Sequence, residues 1–479
     1  MDSSIAEKPN LTGPDRLVLR ALLSGITDYR IQRTSKTKNC DSDANNDEIF
    51  DNVPTKRSNG QCSNAAERST SGRLILSLCI EDLSNTNSLA DDASFESSTV
   101  SRKTLADLSA LNDPAHVDFT PTVFLTWDIS MKSTEWTVWQ TILQQYIKWA
   151  KTIVRNEADV VMLTHLMLYF TTSVPSAVLL FYRFTIVHGL LHFVMQMWYA
   201  GSYTLMMHQH IHMQGILAKK HAWFDRIFPY ITDPLMGHTW NSYYFHHVKH
   251  HHVEGNGPGD MSSTIRYQRD SYWDFFQYVA KFLLFAWAEL PLYFLQKGKP
   301  LMALKTSFSE LGNYLFLYMM ATRFNFGAAF FAFLLPLFLM RIGLMAGNWG
   351  QHAFVDEVEP KSDFRSSITL IDVASNRYSF NDGYHTSHHL NPRRHWRNHP
   401  QSFLQQNHIY TKEGALVFHD IDYLLMTIKL LQKDYVYLAK RLIPLGNQID
   451  LSIDEIAALL RTKTRRFTEP EILAKFKQC

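Results

Sequence analysis

The chain has 479 residues and a formal net charge of +2, with 47 basic against 45 acidic side chains. So even a balance gives no reason to expect a nucleic-acid partner, which selects for a strongly basic surface. The four cysteines, Cys40, Cys62, Cys79 and Cys479, form no CxxC pair, so we predict neither a disulfide framework nor a thiolate metal site.

Residues 1–115 are rich in Ser, Asn, Asp and Thr and contain only two short apolar patches. Such a composition buries too little apolar surface to offset the entropy of ordering, so we predict a mostly disordered N-terminal tail. The tail also lowers the mean hydropathy of the chain to −0.18, which masks long apolar runs further on. The first residues lack the pattern of a cleaved signal peptide, so membrane insertion is expected to use internal spans.

An aromatic-rich segment, 116–158, follows the tail. Its tryptophans alternate with polar residues, and apolar positions recur at i, i+3 and i+4. This pattern predicts an amphipathic helix in the membrane interface, with an ordinary buried helix as the alternative.

Two apolar runs, 159–184 and 185–207, each have about the twenty residues that a membrane span needs. They predict a helical hairpin. Residues 272–347 contain three more apolar segments, of which the short middle one is interpreted as an extension or a re-entrant segment. The histidines before and after this region can meet only if the chain crosses the membrane an even number of times between them. Two spans here, with the two of the hairpin, give four in total. Arg341 in the last span is costly in lipid, so we expect it to face protein or the interface.

The predicted fold class is therefore all-α: a polytopic membrane protein with about four transmembrane helices, a cytosolic helical cap and the disordered tail. The main domain covers 159–410, and 411–479 is a helical cytosolic segment. Near the end, Lys475 and Lys477 resemble the dilysine retrieval signal of endoplasmic reticulum membrane proteins, which requires a cytosolic C-terminus. We expect both termini to be cytosolic.

Histidines fall into three clusters. Five of the 22 lie between Phe245 and Asp260, and two further clusters span His208–His212 and His385–His389. A polar loop can collect histidines by chance, but three clusters at helical spacing favour a polyhistidine metal site. Residues at i, i+3 and i+4 share a helix face. That rule selects His208 with His212, then His247 with His250 and His251, and finally His385 with His388 and His389.

Other histidines fit this site less well. His210 points away from its neighbours on a helix. His188 and His192 form a competing i, i+4 pair, but about 20 residues of helix, or about 30 Å, separate them from His208. His221, His238, His246, His395 and His399 are also left outside the proposed shell.

The number of histidines restricts the metal. Imidazole suits iron, zinc, copper and nickel, and a single zinc takes about four ligands. Eight histidines in three clusters therefore predict two metals, and a pair of irons is the natural candidate where electrons and dioxygen are used. Asp260, Asp356, Asp382 and Glu254 are candidate partners that would orient the imidazoles, although each could equally be a solvated carboxylate.

These three boxes, with spans between them, resemble the membrane fatty acid desaturase and hydroxylase superfamily over Asp159 to Gln401. The family holds two irons with three histidine boxes at the cytosolic ends of four spans. The resemblance implies that His208 and His212 form the first box and that His385, His388 and His389 form the third. In the second box, helical geometry prefers His247, His250 and His251, whereas the following VEGNGPGD matches relatives only if His251 and His252 are the pair. His250 and His252 stay alternatives.

An NxxxH motif of acyl-CoA desaturases in this family matches Asn348 and His352. It implies that His352 is a ninth ligand and that Asn348 contacts the metal through water. The resemblance implies an enzyme that uses O₂ and two external electrons to introduce a C=C bond into an acyl chain carried on CoA or a lipid. No HPGG motif of a fused haem domain is present, so cytochrome b5 and its reductase are the expected donors, with Lys249, Arg393 and Arg394 as docking candidates. A hydroxylase on the same scaffold, a metal transporter or sensor, and a membrane zinc hydrolase are the alternatives.

Overall fold

The computed structural model describes residues 12–43, 99–125 and 137–476. The chain divides into two compact units, Met1–Leu22 with Thr104–Cys479, and Leu23–Lys103. The first unit contains all of the predicted site. Its elements are mostly helical, as expected of the all-α class.

Helices of the N-terminal and membrane parts are α1 (Gly13–Asp43), α2 (Thr99–Asn112), α3 (Thr137–Lys151), α4 (Glu157–Tyr182), α5 (Ile186–Met213), α6 (Ala222–Leu235), α7 (244–254), α8 (Tyr272–Gln296), α9 (300–324) and α10 (Phe326–Gln351). Those of the C-terminal part are α11 (Asp363–Ser366), α12 (Ala374–Tyr378), α13 (His385–Leu390), α14 (His399–Gln405), α15 (Asn407–Lys412), α16 (Tyr423–Leu431), α17 (Tyr435–Ala439), α18 (Ile453–Thr462) and α19 (Glu469–Phe476). Helices α1 and α2 lie within the predicted tail, of which 44–98 is outside the described residues.

Three helices have the length and apolar composition of membrane spans, namely α4, α8 and α10. The remaining predicted span lies in α5, which is long enough at 28 residues but less apolar. Its polar residues face the protein, since His192 and Gln196 are buried, whereas Val187 and Leu191 are each 65% exposed. This outward apolar face suits lipid, and a count of four spans stays a prediction. The short middle segment is part of α9, which is not among the candidate spans.

Arg341 of α10 faces protein, as predicted. Its Nη2 lies 2.6 Å from a carboxylate oxygen of Glu310 on α9, and both side chains are buried. Thr239 and Tyr314 donate hydrogen bonds to the same carboxylate. The buried charge is thus paired and hydrogen-bonded, which is the condition under which a bundle tolerates it.

The C-terminal part adds one element type that the sequence did not predict. Strands β1 (Ile368–Ile371) and β2 (Leu416–His419) pair in parallel, with Ile368 opposite Leu416, and every residue of both is buried. Burial on both faces is typical of parallel strands. The strands belong to a core that includes Trp349 of α10 and Leu430 of α16, so the cap packs directly on the end of a membrane helix.

Candidate metal centre

Five imidazoles converge at the boundary between the bundle and the cap. Each offers one ring nitrogen, and these nitrogens all lie within 4.8 Å of one another. We call this set the first group: His208 and His212 from α5, His247 and His252 from α7, and His388 from α13. The histidine spacing on α5 places both rings on one face, so the end of this helix presents two candidate ligands together.

Beside it lies a second group, formed by His251, His352 and His389, again with nitrogens within 4.8 Å of one another. His385 adjoins it. Its Nε2 is 3.3 Å from Nε2 of His352, and its ring centroid is 4.5 Å from that of His389. If His251 and His252 are taken as the pair of the second box, the resemblance implies nine histidines. All nine therefore meet in these two adjacent sets.

The residues of both groups fit metal ions. In the first group, Nε2 of His208 lies 2.8 Å from that of His247 and 3.0 Å from that of His388. Nitrogens that bind a common ion at about 2.1 Å lie about 3 Å apart. Nε2 of His212 and of His389 are buried without a hydrogen-bond partner. Unpartnered buried nitrogens are costly, and a bound cation would satisfy them.

Burial and the neighbouring imidazoles hold the pKa values of most of these rings well below the ordinary value for histidine. The affected residues are His208, His247, His252, His352, His385 and His388. Neutral imidazole is the form that binds metal. The arrangement therefore presents ligands that need no deprotonation at neutral pH.

The register of the second box follows from the shape of α7. Residues Tyr244–His251 form a π-helix, whose i→i+5 hydrogen bonds widen each turn so that residues four and five apart share a face. His247, His251 and His252 consequently point to the metal site. His250 does not, because its Nε2 accepts a hydrogen bond of 2.9 Å from the backbone N–H of Met261. The register preferred from α-helical geometry is thus not the one that the structure adopts.

Carboxylates stand behind both groups. Asp260 lies 2.7 Å from Nδ1 of His251, Asp363 lies 3.4 Å from Nδ1 of His389, and Asp382 lies 3.9 Å from Nδ1 of His208. Burial alone would raise the pKa of Asp260, but the adjacent His251 holds it well below its usual range. Burial raises the pKa of Asp382 to about 7.

The other two carboxylates considered from the sequence face elsewhere. Asp356 pairs with Lys463 at 2.6 Å, and Glu254 pairs with Lys297 at 2.9 Å. Asp363 was missed, because it comes from a separate short helix with no spacing relation to His389. Tyr243 was missed as well, although it precedes His247 by one turn. Its ring centroid lies 5.2 Å from that of His247.

Asn348 lies one helical turn before His352. Its Nδ2 donates hydrogen bonds of 2.7 Å to the Tyr278 hydroxyl and 2.9 Å to the Ser262 carbonyl. Both bonds fix the amide beside the loop that carries Asp260. A water-mediated metal contact from Asn348 stays a prediction.

Histidines set aside from the sequence have other partners. Nε2 of His210 lies 3.1 Å from the Asp225 carbonyl, Nδ1 of His192 lies 2.9 Å from the Ser176 hydroxyl, and Nε2 of His238 lies 2.9 Å from the Thr204 hydroxyl. None of the three belongs to either group among the described residues.

Comparison with known proteins gives one family match. A family model described as "Fatty acid desaturase" matches residues 184–419, which include every histidine of both groups and Asn348. Searches of curated proteins and of solved structures gave no significant match.

Proposed function

We propose that the chain is a di-iron desaturase of the endoplasmic reticulum that introduces a C=C bond into an acyl chain, because residues 184–419 match the fatty acid desaturase family model. The observation that carries this proposal is the presence of two adjacent histidine groups rather than one. His251 and His252 are consecutive, yet they contribute to different groups. A single-metal zinc hydrolase has no use for the second group.

The first ion would be held by His208, His212, His247, His252 and His388, and the second by His251, His352, His385 and His389. Two bound irons would supply the activation of O₂ and the removal of two hydrogens from adjacent CH₂ groups. With two electrons and two protons from outside, one O₂ leaves as two waters. The chain's own residues position the substrate and hold the ligands.

A cavity of about 50 Å³ adjoins the first group. Tyr243 lines it, and the ring centroid of Tyr243 lies 5.2 Å from that of His247, so the ring of Tyr243 stands between the cavity and the first group. Its apolar wall includes Phe282, Leu290 and Leu344, and Glu310 and Arg341 are on its polar side. Pockets that enclose a small-molecule ligand measure about 300–1,000 Å³, so this cavity has room for only a short part of an acyl chain. We propose that an acyl chain reaches the irons along this wall.

Electrons would come from cytochrome b5 and its reductase, docking on the cytosolic cap. Of the bases considered for docking, Arg393 is exposed, whereas Arg394 donates hydrogen bonds to the carbonyl and hydroxyl of Ser387. Arg394 therefore supports helix α13, and Arg393 is the better docking candidate. A metal transporter is disfavoured, because transporters hold ions within the spans, whereas these ligands lie at helix ends and in the cap.

Expression in a host that lacks its own desaturase, followed by mass spectrometry of its lipids, tests the proposal. We expect acyl chains that have lost two hydrogens with the wild type and none with His388→Ala. His408→Ala is the matched control, since His408 is exposed and outside both groups. Unchanged product with His388→Ala would contradict the site, hydroxylated lipids would indicate the hydroxylase, and one zinc per chain without iron would exclude both.

A further inference from the structure

The first turns of helix α1 contact the segment that carries the third histidine box. Asp15 is completely buried. One carboxylate oxygen accepts a hydrogen bond of 2.6 Å from the Tyr384 hydroxyl, and the other accepts one of 3.0 Å from Nδ2 of Asn376. Tyr384 immediately precedes His385. Asp15, near the start of the chain, therefore contacts the residue that precedes a proposed ligand.

Asn376 extends this contact to the backbone just before the third box. Its Oδ1 accepts a hydrogen bond of 2.9 Å from the backbone N–H of Gly383, and its Nδ2 also donates to the carbonyl of Leu370 in strand β1. A side chain at position 383 would meet Oδ1 of Asn376 at 2.3 Å. Only glycine fits this approach, so the backbone that leads into α13 is held tightly against Asn376.

Helix α1 is itself anchored at this point. The hydroxyl of Thr12 accepts a hydrogen bond of 3.1 Å from the backbone N–H of Asp15, as a helix-capping residue does. Val18, Leu19 and Leu22 are buried at 0%, 1% and 4% exposure. Burial of these apolar side chains favours docking of the helix. A buried carboxylate adds a desolvation cost, which suggests that its two hydrogen bonds serve the segment that receives them.

We propose that Asp15 is a positioning residue for the metal centre, which acts through Tyr384 and Asn376 to orient His385 and His388. This inference rests on the proposed function. Helix α1 lies outside the residues matched by the family model, so the contact is a feature of this chain beyond the matched domain.

Three variants of the full-length protein test the inference. Asp15→Ala removes both acceptors, Asp15→Asn keeps an oxygen that accepts from the Tyr384 hydroxyl, and Tyr384→Phe removes only that hydroxyl. Asp28→Ala, later on α1, is the control. For each purified protein we would measure the iron content, the Mössbauer spectrum of the iron, and kcat and KM for desaturation.

We expect Asp15→Ala to lower kcat about tenfold with KM unchanged and to alter the Mössbauer spectrum, an effect typical of losing groups that orient metal ligands. Asp15→Asn should retain most of the activity, and Tyr384→Phe should reproduce part of the loss. The Asp15→Ala/Tyr384→Phe double variant should be no worse than Asp15→Ala, because both remove the same contact.

A merely structural role predicts a lower melting temperature with normal kcat and a normal spectrum per folded molecule, and this result would overturn the inference. If Asp15→Ala does not fold, Tyr384→Phe decides on the same readouts. Wild-type protein without iron would refute the proposed function instead, so the two failures are distinguishable.

Discussion

The two histidine groups differ in what supports them. The first has five imidazoles and a single carboxyl group at 3.9 Å, that of Asp382, whose pKa burial raises to about 7. The second has three imidazoles with His385 alongside, and two carboxylates, Asp260 at 2.7 Å and Asp363 at 3.4 Å. A carboxylate behind an imidazole makes it a more basic ligand. The first ion would thus depend on ligand number, and the second on ligand basicity.

Exchanging one histidine of α7 gives the largest expected effect. His252→Ala removes a ligand of the first group, so we expect loss of desaturation and of part of the iron. His250→Ala removes the acceptor for the Met261 N–H and the ring contact with Tyr293, which costs about 1–3 kcal/mol of folding stability, but activity per folded molecule should stay near that of the wild type. Lipid profiles and iron per chain measure both. Equal losses in the two variants would show that the register is not the one described.

The supporting carboxylates provide the next test. Asp260→Asn replaces the charged partner of His251, and we expect iron affinity at the second site to fall by about 10- to 100-fold. Asp382→Asn should have a smaller effect, because Asp382 is more distant from its histidine and is less readily charged. Iron titration of the two purified variants compares them directly. A larger loss with Asp382→Asn would reverse the proposed contrast between the groups.

Filling the cavity tests whether an acyl chain occupies it. Leu344→Trp adds a bulky ring to the wall of the cavity that Tyr243 also lines. We expect the rate of desaturation of long acyl chains to fall several-fold relative to shorter ones, through a higher KM. Iron content should not change, since no ligand is touched. Leu339→Trp is the control, because Leu339 lies on the same helix and is 38% exposed. Equal effects of the two substitutions would argue against an acyl chain at this position.

The last test measures stability instead of activity, and it concerns Asp15, which lies behind the box that serves both groups. Burial raises its pKa from 3.8 to about 6. Because the pKa is raised, the folded state favours the neutral carboxyl group of Asp15. Its contribution to the free energy of unfolding is fully present below about pH 4 and is lost as the pH rises through about 6, and the loss amounts to at most about 3 kcal/mol. Unfolding free energies of the wild type and Asp15→Asn should diverge across that range, with the variant relatively more stable at higher pH. Parallel curves would show that Asp15 does not titrate there.

Much of the site could be predicted because its ligands follow helical spacing. His208 with His212, and His385 with His388 and His389, lie on single helices, where sequence distance determines which side chains share a face. His250 was preferred over His252 because an α-helix was assumed where the chain forms a π-helix. Asp363 and Asp15 were beyond prediction, since tertiary packing alone brings them to the third box.

Strands β1 and β2 were missed for a similar reason. Four residues each are too few to display a period that differs from a buried helix, and their pairing joins segments far apart in sequence. The break between α16 and α17 was likewise not predicted. Lys433 adopts a left-handed conformation with φ of 58°, which interrupts the helical segment that was predicted over 411–479.

The assignment of His251 and His252 to different groups has a mechanical consequence. One peptide unit joins their Cα atoms, and its length is fixed at about 3.8 Å by covalent geometry. Any tilt or shift of α7 would therefore move one candidate ligand of each group in the same direction. A substitution that moves α7 should therefore disturb both groups together, whereas one that moves α5 should disturb the first group alone.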